Sequence, residues 1–184
     1  NAVSWLVSRT LDTGGGAPNG PVSSSFTTNA SGLAAYAELL ERFGHPVEQM
    51  RDELEDLDVP PDATIVVADA ATSAADREAV KASVRSGATL IVAGRLSAPL
   101  ARAVVGGDIR YSRLDGEDDG PARPRVVRAR ATGSAPEIGP VSTVEVAGTG
   151  VWSSIGNAQP VVESADGVVV AVADAGAGRV VLIA

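Results

Sequence analysis

The apolar positions change period along the chain, and the changes mark its elements. Leu33, Tyr36, Ala37, Leu40 and Phe43 recur at helical spacing, with Asn29 or Ser31 as the N-cap and Gly44 as the stop. His45-Pro46-Val47 begins a short extended piece, and the acidic run "RDELEDLD" follows. Pro60-Pro61 then punctuates, and "ATIVVADA" reads as a buried strand ending at Asp69. Ser73 stands three residues before Asp76, a capping box with Asp in place of Glu, and the helix it opens turns Val80 and Val84 inward and ends near Gly87. "GATLIVAGRLS" is the next strand and its turn. Strand, helix and strand with short links make a βαβ unit, and continuous apolar strands of this kind belong in a parallel sheet covered on both faces.

Beyond Leu100 the period changes again. "GGDIRYSRLDGEDDGPARP" is polar and turn-rich, whereas "RVVRARATG", "VSTVEVAG" and "PVVESADGVVVAVADAGAGRVVLIA" read as β segments. Asp166-Gly167 between two Val-rich runs is a strong hairpin signal, and "DAGAG" makes the next turn before Arg179. The Gly, Pro, Ser and Thr rich stretch through residue 28 has linker composition. The expected fold is therefore α/β, a three-layer flavodoxin-like sandwich with a mainly parallel sheet and a β-rich C-terminal extension. The expected organisation is a linker or loosely packed segment over 1–28 and one domain over 29–184. Within it lie a βαβ core (29–105), a polar loop (106–124) and a β-rich part completing the sheet (125–184). The closing "GRVVLIA" stops inside a strand, so the chain reads as a piece truncated at its C-terminus.

Composition narrows the chemistry. Apolar residues make up 45% of the 184 positions but aromatics only 3%, so the core must be built from Val, Leu, Ile and Ala. There is no Cys, which removes thiol nucleophiles, disulfides and Cys-based zinc sites together, and the single His, His45, excludes a multi-histidine metal site. Acidic residues outnumber basic ones 23 to 15, for a net charge of -8, which disfavours nucleic acid and docking on an anionic membrane surface. No apolar run of about 18 residues appears, so membrane attachment would require segments outside this sequence.

The candidate chemistry clusters at the strand ends. Asp69 falls where open α/β sheets bind ligands, beyond the strand C-termini, and could act as a general base or hold a polar ligand. The plain alternative is a turn residue accepting backbone N–H groups. Arg95, after Gly94 at the end of the neighbouring strand, could pair with Asp69, hold an anion, or be a solvated loop charge. Ser73, Ser97 and His45 supply triad residue types, but no G-x-S-x-G elbow is present. Asp115 to Gly120 imitates the start of a calcium loop, yet the twelfth position is Val126 rather than Glu. The glycines of "DAGAGR" match neither phosphate-loop spacing and read as a turn. The ligand-binding set that emerges is Asp69, Ser73, Gly94 and Arg95, with no catalytic residue, metal or cofactor assigned.

The stretches "SSFTTNASGLAAYAELLERFGHPVE", "PPDATIVVADA" and "VKASVRSGATLIVAG" resemble a bacterial, largely actinobacterial family, the domain-of-unknown-function 4350 family. The resemblance covers under half of the chain, from Ser24 to Gly94, and the tail "VVVAVADAGAGRVVLIA" looks like the strands that close such sheets. It implies an extracytoplasmic domain of a membrane protein, with a fold similar to class I glutamine amidotransferases. Those enzymes carry a Cys at the strand-to-helix elbow, and the corresponding corner here is Gly94-Arg95, so no catalytic residue carries over. The expected function is a non-catalytic domain binding a small molecule or protein partner at the outer face of the membrane. The alternatives are a carboxylate-dependent hydrolase or transferase and a structural assembly domain.

Overall fold

In the computed structural model, which describes residues 4–7, 33–50, 59–115, 124–132 and 142–184, the two Val/Ile-rich runs form the centre of one sheet. They are β3 (Thr64–Ala68) and β4 (Thr89–Ala93), parallel and in register from Thr64↔Thr89 to Ala68↔Ala93. Between them runs α2 (Ala74–Ser86). The Ser73 hydroxyl accepts from the Asp76 N–H (3.0 Å), and the buried Asp76 carboxylate accepts from the Ser73 N–H (2.8 Å), so the capping box is formed. Gly87 ends the helix, as its position in the sequence requires.

Ser4–Val7, which lie in the linker-like segment, form a strand, β1, paired in parallel with β3 on one side and with β2 (Val47–Met50) on the other. β11 (Gly178–Ile183) extends the parallel set beyond β4. The sheet is not mainly parallel, however. β11 turns back through a tight hairpin from β10 (Val168–Ala175). From there β9 (Gln159–Ser164), β6 (Arg125–Ala131) and β7 (Thr143–Gly148) follow antiparallel. β8 (Gly150–Ile155) touches β10 and pairs with β5 (Ile109–Arg113), also antiparallel. The sheet is mixed because β9, β10 and β11 are joined by connections of only two or three residues, and so short a turn can only reverse the chain. β5 occupies part of the segment read as a polar loop.

Side chains alternate across the pleat and divide the core. Ile65, Val67, Leu90, Val92, Val180 and Leu182 face Val80 and Val84 of α2 and Leu100, Ala101 and Val104 of α3 (Ala98–Val105). Val66, with Ile91, faces Ala37 of α1 (Ala34–Arg42) on the opposite side. Helices thus cover both faces of the parallel half. On the α1 side the apolar layer continues as Val162, Val169, Val172 and Val181 beneath the antiparallel strands. Among the described residues the aromatic-poor core holds one large exception, Trp152 of β8, fully buried with the Tyr111 ring edge-on at 5.2 Å.

The 3₁₀ turn Arg95–Ser97 and α3 were not read from the sequence, although Pro99 in the first turn and Leu100, Ala101 and Val104 at helical spacing carry the signal. Asp166-Gly167 does form the β9–β10 connection, where the Gly167 carbonyl accepts from the Ser164 N–H (2.9 Å). Asn29, Ser31, the acidic run over 51–58 and the acidic loop from Gly116 onward lie outside the described residues. Asp115, at the start of that loop, pairs with Arg113 (2.5 Å). Among the described residues no helix is long and apolar enough to cross a membrane.

Candidate functional site

Because β3 and β4 end in register, the residues that follow them, Asp69 and Gly94, emerge side by side at the C-terminal edge of the parallel strands. Asp69 leaves its strand in the left-handed conformation (φ +44°) and is the one non-glycine residue with positive φ among those described. Asp is among the few residues that take this conformation readily, because its short side chain can hydrogen-bond locally. Here it does so. The Asp69 N–H donates to the Ala93 carbonyl (2.7 Å), and Oδ1 accepts from the Leu96 N–H (2.9 Å). Gly94 (φ +80°) is required opposite it: a Cβ at 94 would stand 2.7 Å from the Asp69 Cβ.

One residue further along each chain the two exits are joined again. The buried Ser97 hydroxyl accepts from the Ala70 N–H (3.0 Å) and donates to the Ala70 carbonyl (3.3 Å). Ser97 therefore serves as a tie between loops, and Ser73 serves as the cap of α2. His45 stands before β2, at the opposite edge of the sheet, since Val47, Thr64 and Thr89 share one level through Ser4. Five residues of strand separate the edges by roughly 17 Å, so neither serine can form a triad with His45.

The structure brings Asp69, Gly94 and Arg95 together and adds residues that the sequence reading missed. β11 ends beside β4 (Ile183↔Ala93), which carries Ile183 and Ala184 to the same edge, and Gly148 of β7 approaches the Ala184 carbonyl. Thr149, next in the chain, and Tyr111 of β5 bring their hydroxyls within 3.3 Å of each other. Leu96 and Ile183 expose 44% and 36% of their surface, large for apolar residues in this molecule. The alternation Ile109, Tyr111 within "DIRYSRL" was the available signal for a strand there, masked by its polar neighbours.

Tyr111 reports the electrostatics of this corner. Burial holds its phenol above the ordinary 10.0, the Thr149 hydrogen bond lowers it in part, the Asp69 carboxylate raises it and the Arg95 guanidinium lowers it. The phenol is therefore held neutral at physiological pH. The folded protein holds this proton more tightly than the unfolded chain does. The stabilisation is thus complete below about pH 10 and is lost as pH climbs through the folded-state value. Ultraviolet difference spectroscopy should show one of the two tyrosines ionising late, and Tyr111→Phe should remove that late step. Among the described residues no three His, Cys, Asp or Glu side chains gather to hold a metal ion.

Solved structures similar to this chain share its fold at low identity. A putative GMP synthase protein from Thermoplasma acidophilum is similar at a TM-score of 0.58 and 11% identity, over 100% of this chain and 83% of that one. The cytoplasmic protein STM3548 from Salmonella typhimurium is similar at 0.60 and 15%, over 100% and 87%. An exo-β-1,4-mannosidase, Op5Man5, from Opitutaceae bacterium strain TAV5 is similar at 0.61 and 16%, over 99% of this chain, which spans only 31% of the mannosidase. At such identities the likeness concerns the fold alone. No curated protein matches the sequence. The sequence pattern of one family matches residues 25–184, well beyond the Ser24–Gly94 stretch that carried the resemblance, and the chain belongs to that family, described as "Domain of unknown function (DUF4350)".

Proposed function

We propose that the chain is a non-catalytic, extracytoplasmic binding domain of a membrane-anchored bacterial protein, built as an amidotransferase-like three-layer sandwich without the nucleophile. The observation that carries this reading is the hydrogen bond from the Leu96 N–H to Asp69 Oδ1. Enzymes with a nucleophile at a strand-to-helix turn use a backbone N–H at that turn to stabilise the developing oxyanion. In this chain the turn from β4 into α3 already has a carboxylate oxygen on its amide, and Gly94-Arg95 supplies no nucleophile. An oxyanion could reach the Leu96 N–H only by displacing Asp69. Helices on both faces of the parallel half support the three-layer reading. The rival carboxylate-dependent hydrolase needs a second carboxylate facing Asp69, and the group that meets the Asp69 carboxylate is the Leu96 N–H.

The purified domain should turn over glutamine, simple esters and aryl glycosides no faster than buffer, and enzyme-like rates would overturn the reading. In cells making the full-length protein, protease added to intact spheroplasts should cleave the domain, and protection until lysis would sink the localisation. The assembly-domain reading is favoured by one observation. Tyr36 and Leu39 of α1 and Phe43 at its C-cap form an exposed apolar stripe, with Phe43 75% exposed. Site-specific cross-linking from position 43 in the full-length protein separates the two readings.

A further inference from the structure

Apolar surface outside the core gathers in one place among the described residues. Leu96, Val126 and Ile183 are exposed on three separate elements, whereas Tyr36 (42% exposed), Leu39 (49%) and Phe43 share one side of α1. At about 100° per residue these three fall within an arc of roughly 60°. The Phe43 N–H still donates to the Leu39 carbonyl (3.1 Å), so the helical path carries its ring onto the stripe. The whole chain has two Trp, two Tyr and two Phe, and one Tyr and one Phe stand exposed here. Aromatic rings are enriched where a partner covers them. Glu38 and Arg42 border the stripe on the flank away from buried Ala37, both exposed and paired with each other one turn apart (2.5 Å).

The spacing of these residues makes the face complementary to itself. Tyr36 and Phe43 are centred on nearly the same level of the helix as Glu38 and Arg42, close to Leu39. One two-fold axis at that level, normal to the plane of two antiparallel helices, therefore serves both patterns. It sets Tyr36 against the partner's Phe43 and brings Leu39 to the partner's Leu39. Such an axis also lays like flank beside like flank, so Glu38 faces the partner's Arg42 and Arg42 faces the partner's Glu38. The flank carries one charge of each sign and so favours neither a basic nor an acidic helix, but it complements its own copy reversed.

We propose that α1 is a self-association face, on which a second copy of this chain lays its own α1 antiparallel about a two-fold axis. Three apolar side chains per copy cover well under the roughly 800 Å² per partner of a stable complex, so free chains should pair weakly, with a dissociation constant of about 10⁻⁴ M. The inference rests on the assembly reading above and adds the identity of the partner.

The test is sedimentation equilibrium of the purified chain from about 10 μM to about 1 mM, in about 0.15 M salt to screen repulsion between acidic chains. The unaltered chain should approach the dimer mass at the upper end. Leu39→Asp, which puts two carboxylates across the axis, should weaken pairing by about tenfold or more. Glu38→Arg leaves two arginines on the flank and Arg42→Glu leaves two glutamates, each change placing a good helix former at an exposed position. Either variant alone should stay monomeric, and an equimolar mixture of the two should recover the dimer. That recovery is an outcome that pairing through another face does not produce. A mixture that stays monomeric, or a dimer indifferent to both charge changes, would overturn the proposal. So would an unaltered chain that is monomeric throughout. In that case a cross-link from position 43 to a different protein would leave the assembly reading standing, and no cross-link at all would remove both.

Discussion

Trp152→Ala is expected to cost about 3–5 kcal/mol of stability, the range for removing a buried aromatic from a core that cannot collapse around the gap. For a domain of this size that is a fall in Tm of roughly 6–20 °C. The site is unforgiving for a specific reason. Trp152 is fully buried among Val, Leu, Ile and Ala, stands between Tyr111 of β5 and Val168 of β10, and makes an edge-to-face contact with Tyr111 at an interplanar angle of 84°. Small aliphatic neighbours cannot move far enough to fill the volume of an indole. Its Nε1, however, is buried without a hydrogen-bond partner, and an orphan donor costs about 1–3 kcal/mol. Trp152→Phe removes that donor and keeps most of the ring, so its cost should be much smaller than that of the alanine variant. Urea denaturation with unchanged slopes checks both variants, and equal losses would show that the orphan N–H carries no penalty.

Gly178→Ala should be nearly as damaging, at about 3 kcal/mol, because the added carbon meets backbone rather than side chain. A Cβ at 178 would stand 2.0 Å from the Val84 carbonyl oxygen and 2.3 Å from that of Ala88. These oxygens belong to the last turn of α2 and its exit, while β11 must pass beneath them to reach β4, to whose Thr89 the next residue, Arg179, is paired. The Arg179 N–H also donates to the Ala88 carbonyl (3.3 Å), which holds the strand at this short distance. No rotamer change relieves such a contact. The helix end and the strand must separate, and the central β4–β11 pairing separates with them. Gly176→Ala in the same turn makes a useful comparison, since its φ of +69° adds backbone strain to a clash with Arg85 at 2.8 Å. Thermal melts of the two variants should show both destabilised, with Gly178→Ala also losing amide protection along β4 and β11. Unchanged protection there would rule out the mechanism.

The elements with strong local signals could be read from the chain alone. Ser73 and Asp76 at capping-box spacing, Val80 and Val84 one turn apart, and Gly87 as a stop define α2 without reference to anything distant. The Val/Ile runs of β3 and β4 and the Asp166-Gly167 turn are equally local. Asp69, Gly94 and Arg95 were also reachable, because the ends of buried parallel strands lie where such sheets bind ligands.

What only the tertiary structure decided depended on contacts between residues far apart in sequence. Four residues of β1 form a strand because β2 and β3 offer hydrogen-bonding edges on either side, not because of any pattern within them. The sheet is mixed because the C-terminal hairpins join it at β11, a pairing of residues about 90 positions apart that no window of sequence contains. The uses of Ser97 and Asp69 follow from the same fact. The identical residue types could have served a triad or a general base, and it is the in-register ending of β3 and β4 that bonds one to Ala70 and the other to Leu96. The sequence by itself determined which segments bury their side chains and where the chain turns. The partners of each strand edge, and with them the chemistry left open at Asp69 and Arg95, were settled by the packing of distant segments.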